Sequence, residues 1–262
     1  EKNLSRKDLI PLAENQIKGE QVIAIAGTCN SNLKRQLQET TPFNQLTTTQ
    51  SSGYQSSKKK PLIVSSTNPT NLSLHSEQTE QVIIMLGQPT IPHGHKDDLA
   101  LRMLSCYLGT GMSSLLFRKL RENHGVAYDV GVHHPIREEA APFLIHVSTS
   151  EDKALLTLQL LQEILGNIKT NKLSNDEMIL IQSKFQGQLA HASQTVSQRA
   201  ERKAILRGLK LGNNFDKESI EKIKSITSKD IQVTAEKYLS RPLLSLCGPE
   251  ATIKSLSKRW KT

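Results

Sequence analysis

The stretch that decides the fold reads Leu108-Gly109-Thr110-Gly111-Met112-Ser113-Ser114-Leu115-Leu116-Phe117-Arg118-Lys119-Leu120-Arg121-Glu122-Asn123-His124-Gly125-Val126-Ala127-Tyr128. Gly109 and Gly111 break the helical pattern that precedes them. Ser113 or Ser114 can cap a new helix, and Leu115, Leu116, Phe117 and Leu120 give that helix an apolar side. Gly125 stops it, and residues 126–132 predict a strand. Arg121 then lies at a helix end, and Tyr128 lies on the strand that follows. Two readings of these side chains stand side by side. Arg121 can be a solvated charge at a helix C-terminus, with Tyr128 a half-buried strand residue. Alternatively, both can point into one cleft, where arginine offers planar donors to a carbonyl and a tyrosine hydroxyl donates to an oxygen gaining charge.

Upstream of this stretch, Asp97 or Asp98 starts a helix in which Leu101, Leu104 and Leu108 repeat at three and four. Ahead of it, Val82-Ile83-Ile84-Met85-Leu86 is apolar at every position, which predicts a central strand over 81–87 covered on both faces. Residues 62–66 predict another strand. Residues 41–60 are rich in Thr, Ser, Gln and Lys and predict a linker. Before the linker, residues 6–18 have helical character, 21–26 predict a short buried strand ended by Gly27, and Asn30 or Ser31 caps a short helix.

Downstream, 128–134 and 142–148 predict an antiparallel pair across the charged loop Arg137-Glu138-Glu139. Ser150 caps a helix with Leu155, Leu158, Leu161 and Ile164 on its apolar face. Ser174 opens a long helical region to about residue 211. Shorter helices follow near 217–226 and 228–239, with Ser228 capping the second. Residues 243–247 predict a last strand. The order predicts an α+β fold, a mainly antiparallel sheet with helices packed on one face.

Composition narrows the function classes. The chain has 262 residues, with 34 Lys and Arg against 25 Asp and Glu, a formal net charge of +9. The basic residues are spread along it apart from Lys58-Lys59-Lys60. No aromatic residues interleave with that run as in single-strand binders, so a solvated linker is expected and no nucleic-acid partner. Nothing approaches the roughly eighteen apolar residues of a membrane span. The N-terminal residues carry charges without an apolar core behind them, unlike a signal peptide, and the missing initiator Met suggests a chain cut from something longer. Cys29, Cys106 and Cys247 are far apart and odd in number. They predict free thiols in the cytoplasm or another reducing compartment.

The string Leu-Gly-x-Gly-Met-Ser-Ser-x-Leu-Phe-x-x-Leu-Arg-Glu-x-x-Gly-x-Ala-Tyr resembles the second-half signature of the insulinase-like, or pitrilysin-type (M16), metallopeptidases, which include the mitochondrial processing peptidase. The resemblance covers residues 62–250 well and 1–45 loosely. It implies a sandwich fold like that of the processing peptidase, with residues 1–45 as the closing strand and helix of a preceding domain, 46–61 as linker and 62–262 as the C-terminal-type domain. It implies that Arg121 and Tyr128 bind the substrate backbone, Arg121 at a peptide carbonyl and Tyr128 at the oxyanion. It also implies that the turn holding Gly109 and Gly111 lines the substrate chamber, although a plain helix-to-helix turn explains those glycines equally well.

Family enzymes hold zinc in their first half through His-x-x-Glu-His on a helix, the histidines on one face and the Glu as general base. None of the eight histidines here (75, 93, 95, 124, 133, 134, 146 and 191) sits in that motif or in His-Glu-x-x-His. His93-Gly94-His95 is a loop pair, and His133 and His134 should face opposite ways, so no metal ligand is assigned. No Gly-x-Ser-x-Gly elbow is present. The expectation is therefore a non-catalytic, substrate-binding half without a cofactor of its own. It would pair with a zinc-bearing half, in the same gene product or a separate subunit, to cleave peptides. The alternative is an inactive scaffold or binding subunit on the same fold.

Overall fold

The structure, a computed structural model, describes residues 5–18, 21–40 and 71–260. The expected linker at 46–61, the strand at 62–66 and the Lys58–Lys60 run lie outside the described residues. The chain forms two compact units. The smaller holds the described residues up to 40 together with 190–215, and the larger holds 71–189 and 216–260.

In the smaller unit, helices α1 (Arg6–Lys18) and α2 (Leu33–Glu39) flank residues 21–26. The strand expected at 21–26 does not form. The residues join no ladder, and Val22, Ile23 and Ile25 are 39%, 44% and 46% exposed. An apolar run becomes a strand only where a neighbouring strand takes up its N–H and C=O groups in a ladder, and among the described residues no strand pairs with this one. Asn30 Oδ1 accepts from the Asn32 amide at 3.0 Å, a turn that delays the start of α2 past the expected cap.

The larger unit is built on five strands: β1 (Leu72–Ser76), β2 (Gln81–Pro89), β3 (Asp129–His133), β4 (Pro142–Ser150) and β5 (Leu243–Gly248). Their order across the sheet is β1-β5-β2-β4-β3. Only the β1–β5 pair is parallel, so the sheet is mainly antiparallel as expected. β2 is central, but it is covered on one face only. Val82, Ile84 and Leu86 are buried, while Ile83 and Met85 are 39% and 37% exposed. β4 repeats the pattern with Phe143, Ile145, Val147 and Thr149 inside. The open face carries Met85 beside His146 and Ile83 beside Ser148, each pair in register.

Among the described residues the remaining helices are α3 (Asp98–Gly109), α4 (Ala154–Thr170), α5 (Asn175–His191), α6 (Val196–Gly208), α7 (Phe215–Lys222), α8 (Ser228–Tyr238) and α9 (Glu250–Ser257), and α6 belongs to the smaller unit. α3 and α4 pack against α8. Leu101, Leu104 and Leu108 of α3, Leu158 and Leu161 of α4, and Ile231 of α8 are buried with the inner residues of β2 and β4. Each such side chain contributes about 1.5–3 kcal/mol of transfer free energy. On α4, Leu155 is exposed and Ala154 and Thr157 take the inner positions instead.

Other boundaries differ from the pattern for local reasons. The helical region expected from 174 to 211 breaks at 192–194. Thr195 there adopts extended backbone and forms a capping box with Gln198, which starts α6 afresh. Thr227, not Ser228, caps α8 through a reciprocal box with Asp230. Neither β1 nor α9 was expected.

Candidate substrate-contacting site

Arg121 and Tyr128 lie on either side of a turn held at many points. α3 ends at Gly109, where an added Cβ would come within 2.6 Å of the Val132 amide nitrogen and 2.7 Å of its Cβ. The helix end therefore lies directly on β3. Gly111 has φ +68° with open space around it, a left-handed turn. Ser114 is buried, and its hydroxyl accepts from the Phe117 amide at 3.4 Å.

The helix that begins here widens into a π-helical segment, Phe117–Asn123, rather than the expected α-helix. Such segments are uncommon and recur at functional sites. Leu120 is fully buried and fixes this turn. Its carbonyl accepts from the amides of both Val126 (2.8 Å) and Ala127 (3.3 Å). Gly125, with φ +58°, reverses the chain, and Lys153 Nζ donates to its carbonyl at 3.1 Å. The Thr149 hydroxyl donates to the Val126 carbonyl at 2.6 Å. Tyr128 donates its amide to the Ser148 carbonyl at 2.9 Å and sits in a bend just before β3, one residue short of the expected strand.

This scaffold brings the two predicted residues together. Arg121 Nη1 donates to the Tyr128 carbonyl at 3.2 Å. The guanidinium carbon lies 5.2 Å from the Phe117 ring centroid and 5.9 Å from that of Tyr128. The stacking holds the guanidinium plane against two aromatic faces. Tyr128 is 75% exposed, and its hydroxyl makes no hydrogen bond among the described residues. The pair thus presents an ordered cation and a phenol donor to solvent. Beside them, Asp129 Oδ2 lies 3.5 Å from His146 Nε2, and the His146 ring packs over Gly131.

The sequence also held a grouping that its spacing did not reveal. His93, in the loop after β2, Asp98, at the start of α3, and His134, just after β3, place one ligand atom each within 4.8 Å of one another. His134 Nδ1 lies 3.1 Å from the Pro142 carbonyl, and burial holds the His134 imidazolium pKa below its usual value. His95 takes no part, because its Nδ1 accepts from the Asp97 amide at 3.1 Å. The three cysteines are free, with Cys106 buried and Cys29 exposed.

Comparison with known proteins gives the family and the fold. The family model described as the peptidase M16 inactive domain matches residues 21–185. An uncharacterized zinc protease of Rickettsia felis is 29% identical over 187 residues, and one of Streptomyces coelicolor is 25% identical over 182. Each alignment covers 68% of this chain, and they cover 43% and 39% of those relatives, so the chain spans less than half their length. Among solved structures, the peptidase M16 inactive domain from Pseudomonas fluorescens has a TM-score of 0.62 at 18% identity, covering 68% of this chain and 43% of that one. A protease from Helicobacter pylori has a TM-score of 0.61 at 17% identity, covering 68% and 44%. These two establish the fold. Among the described residues, no helix is long and apolar enough to cross a membrane.

Proposed function

Since this chain belongs to the peptidase M16 inactive-domain family, we propose that it is the non-catalytic, substrate-binding half of a zinc metallopeptidase. It pairs with a half that carries His-x-x-Glu-His and helps hold an extended peptide. The observation that carries this reading is the Arg121–Tyr128 pair, ordered by Phe117 and by the Tyr128 carbonyl yet open to solvent. A side chain needed only for stability would be expected to bury its ring. Tyr128 leaves its ring and hydroxyl available.

In this reading Arg121 binds a backbone carbonyl of the peptide through N–H groups not spent on Tyr128. The Tyr128 hydroxyl donates to the oxygen that gains charge as the scissile carbonyl is attacked, an interaction stronger in the transition state than in the ground state. Zinc in the other half supplies the hydrolytic chemistry, and relatives named zinc proteases support its presence there. Gly109 and Gly111 set the approach to this surface. Residues 1–45 close a preceding domain, which accounts for the exposed Val22, Ile23 and Ile25.

The test is peptide cleavage by the assembled enzyme. Tyr128→Phe is expected to lower kcat about 10²-fold, the cost of one lost oxyanion donor. Arg121→Ala is expected to act mainly on KM. Both should leave the melting temperature nearly unchanged, since surface changes stay within about 0.5 kcal/mol. Unchanged kinetics in both variants would remove these roles and favour an inactive scaffold on the same fold.

A further inference from the structure

We propose that His93, Asp98 and His134 form a buried site for a divalent metal of the zinc class, separate from Arg121 and Tyr128. Asp98 is the centre of the argument. Its side chain is 3% exposed, and its two oxygens are used differently. Oδ2 accepts from the Gly94 amide at 3.2 Å and from Arg102 Nε at 3.1 Å. Oδ1 is buried without a hydrogen-bond donor and lies 3.6 Å from His93 Nδ1. His134 Nε2 is likewise buried without a hydrogen-bond partner. A buried ring nitrogen without a hydrogen bond, and a buried carboxylate oxygen whose nearest partner is an imidazole nitrogen at 3.6 Å rather than a hydrogen-bond donor, are costly side by side unless something binds between them.

The surroundings orient these atoms as ligands. A carbonyl can only accept, so the Pro142 carbonyl requires the proton on His134 Nδ1. That tautomer turns the Nε2 lone pair toward the cluster. An imidazole tied through its far nitrogen to a carbonyl, and a carboxylate tied through its far oxygen, are the usual supports of metal ligands. The His93 and His134 ring centroids are 5.9 Å apart, which brackets the space between them.

Two imidazoles and a single carboxylate oxygen suit zinc or its first-row neighbours and disfavour calcium and magnesium, which want more oxygens. The His93–Asp98 separation is already close to the ligand spacing of a tetrahedral zinc ion, about 3.3 Å from metal–ligand bonds near 2 Å. Small side-chain rotations bring His134 into place. Arg102 is the opposing charge. It also donates to Ser219 at 2.9 Å and lies 5.2 Å from the Phe185 ring centroid. Its positive charge makes binding moderate rather than tight. The burial of the ligands points to a metal that braces the loop after β2 against the ends of α3 and β3, without reacting.

The experiment uses the whole chain, stripped with chelator and titrated with Co2+ as optical probe, with Zn2+ as competitor. The expected result is a visible absorption that saturates at one equivalent and is displaced by zinc, with zinc raising the melting temperature on the order of 5 °C at saturation. His134→Asn keeps a donor for the Pro142 carbonyl and removes the ligand nitrogen, and His93→Gln removes the second. Each should abolish both effects, while His75→Gln and His191→Gln leave them intact. No saturable absorption, or the same absorption in His134→Asn and His93→Gln, overturns the site. X-ray absorption on the zinc-loaded wild-type chain decides the matter if those variants fail to fold. Two imidazole ligands are expected, and an all-oxygen or thiolate shell overturns the proposal.

Discussion

At the scale of single residues, the two glycines of the Leu108–Tyr128 stretch do different work. Gly109 allows α3 to end against β3, and a methyl group there would overlap the Val132 backbone. Gly109→Ala should therefore cost about 1–3 kcal/mol, the usual penalty of overpacking. Gly111 has room for a side chain but holds a left-handed conformation. Gly111→Ala should cost about 1 kcal/mol. Urea unfolding of both variants measures the difference, and equal costs would mean that close packing at Gly109 is relieved elsewhere. Polar contacts in the same region are also specific. The Tyr107 hydroxyl donates to Glu177, and burial is the main cause that pushes the Tyr107 pKa up. Burial also acts to raise the Glu177 pKa, but hydrogen bonds from Tyr107 and Ser174 more than offset it and hold the carboxyl low.

At the scale of elements, caps decide boundaries that periodicity leaves open. Thr227→Ala removes half of a reciprocal box and should destabilise the chain by about 1 kcal/mol, whereas Ser228→Ala should change little. Thermal unfolding of the pair checks this, and the opposite ranking would return the cap to Ser228. The contrast between β1 and residues 21–26 shows what sequence could reveal. Leu72-Ser73-Leu74-His75-Ser76 is short and largely exposed, so its signal is weak, yet it becomes a strand because β5 offers a parallel partner. Residues 21–26 carry the stronger signal and stay outside any ladder. α3 and β4 were legible because one face of each is buried and its apolar period says so, and β2 because its continuous apolar run is flanked by turn residues. The open second face of β2 was not legible, since Ile83 and Met85 are as apolar as their buried neighbours. Arg121 and Tyr128 were found through resemblance. His93 and Asp98 are near in sequence, but His134 joins them only where β3 ends beside the start of α3, so their spacing gave no ligand pattern.

At the scale of the whole molecule, the larger unit is fastened between elements far apart in sequence. Asp97 accepts from Lys237 Nζ and from the Tyr238 hydroxyl, each at 2.7 Å, tying the start of α3 to the end of α8. The Lys237 hydrogen bond is the main cause holding the Asp97 carboxyl below its ordinary pKa. A depressed carboxyl stabilises the fold above its unfolded value, near pH 4, and that contribution is lost as pH falls through the lower folded value. Asp97→Asn should therefore cost about 1 kcal/mol near neutrality, discounted for the half-exposed lysine. The gap from wild type should close in acid, as denaturant midpoints measured from pH 7 to 3 would show. A gap independent of pH would mean that the carboxylate charge is not what matters.

The strand order carries a further consequence for how the chain is made. β5, near residue 245, lies between β1 and β2. During synthesis at about 5–20 residues per second, β1 and β2 leave the ribosome long before the strand that must sit between them. β1 cannot join the sheet until then, and the edge of β2 that β5 takes up, Ile83–Gly87, stays bare, its backbone groups unpaired. The nascent chain therefore passes through an interval in which its central strand is open to chaperones or to a wrong neighbour. The emergence of β5 then closes the sheet in one step.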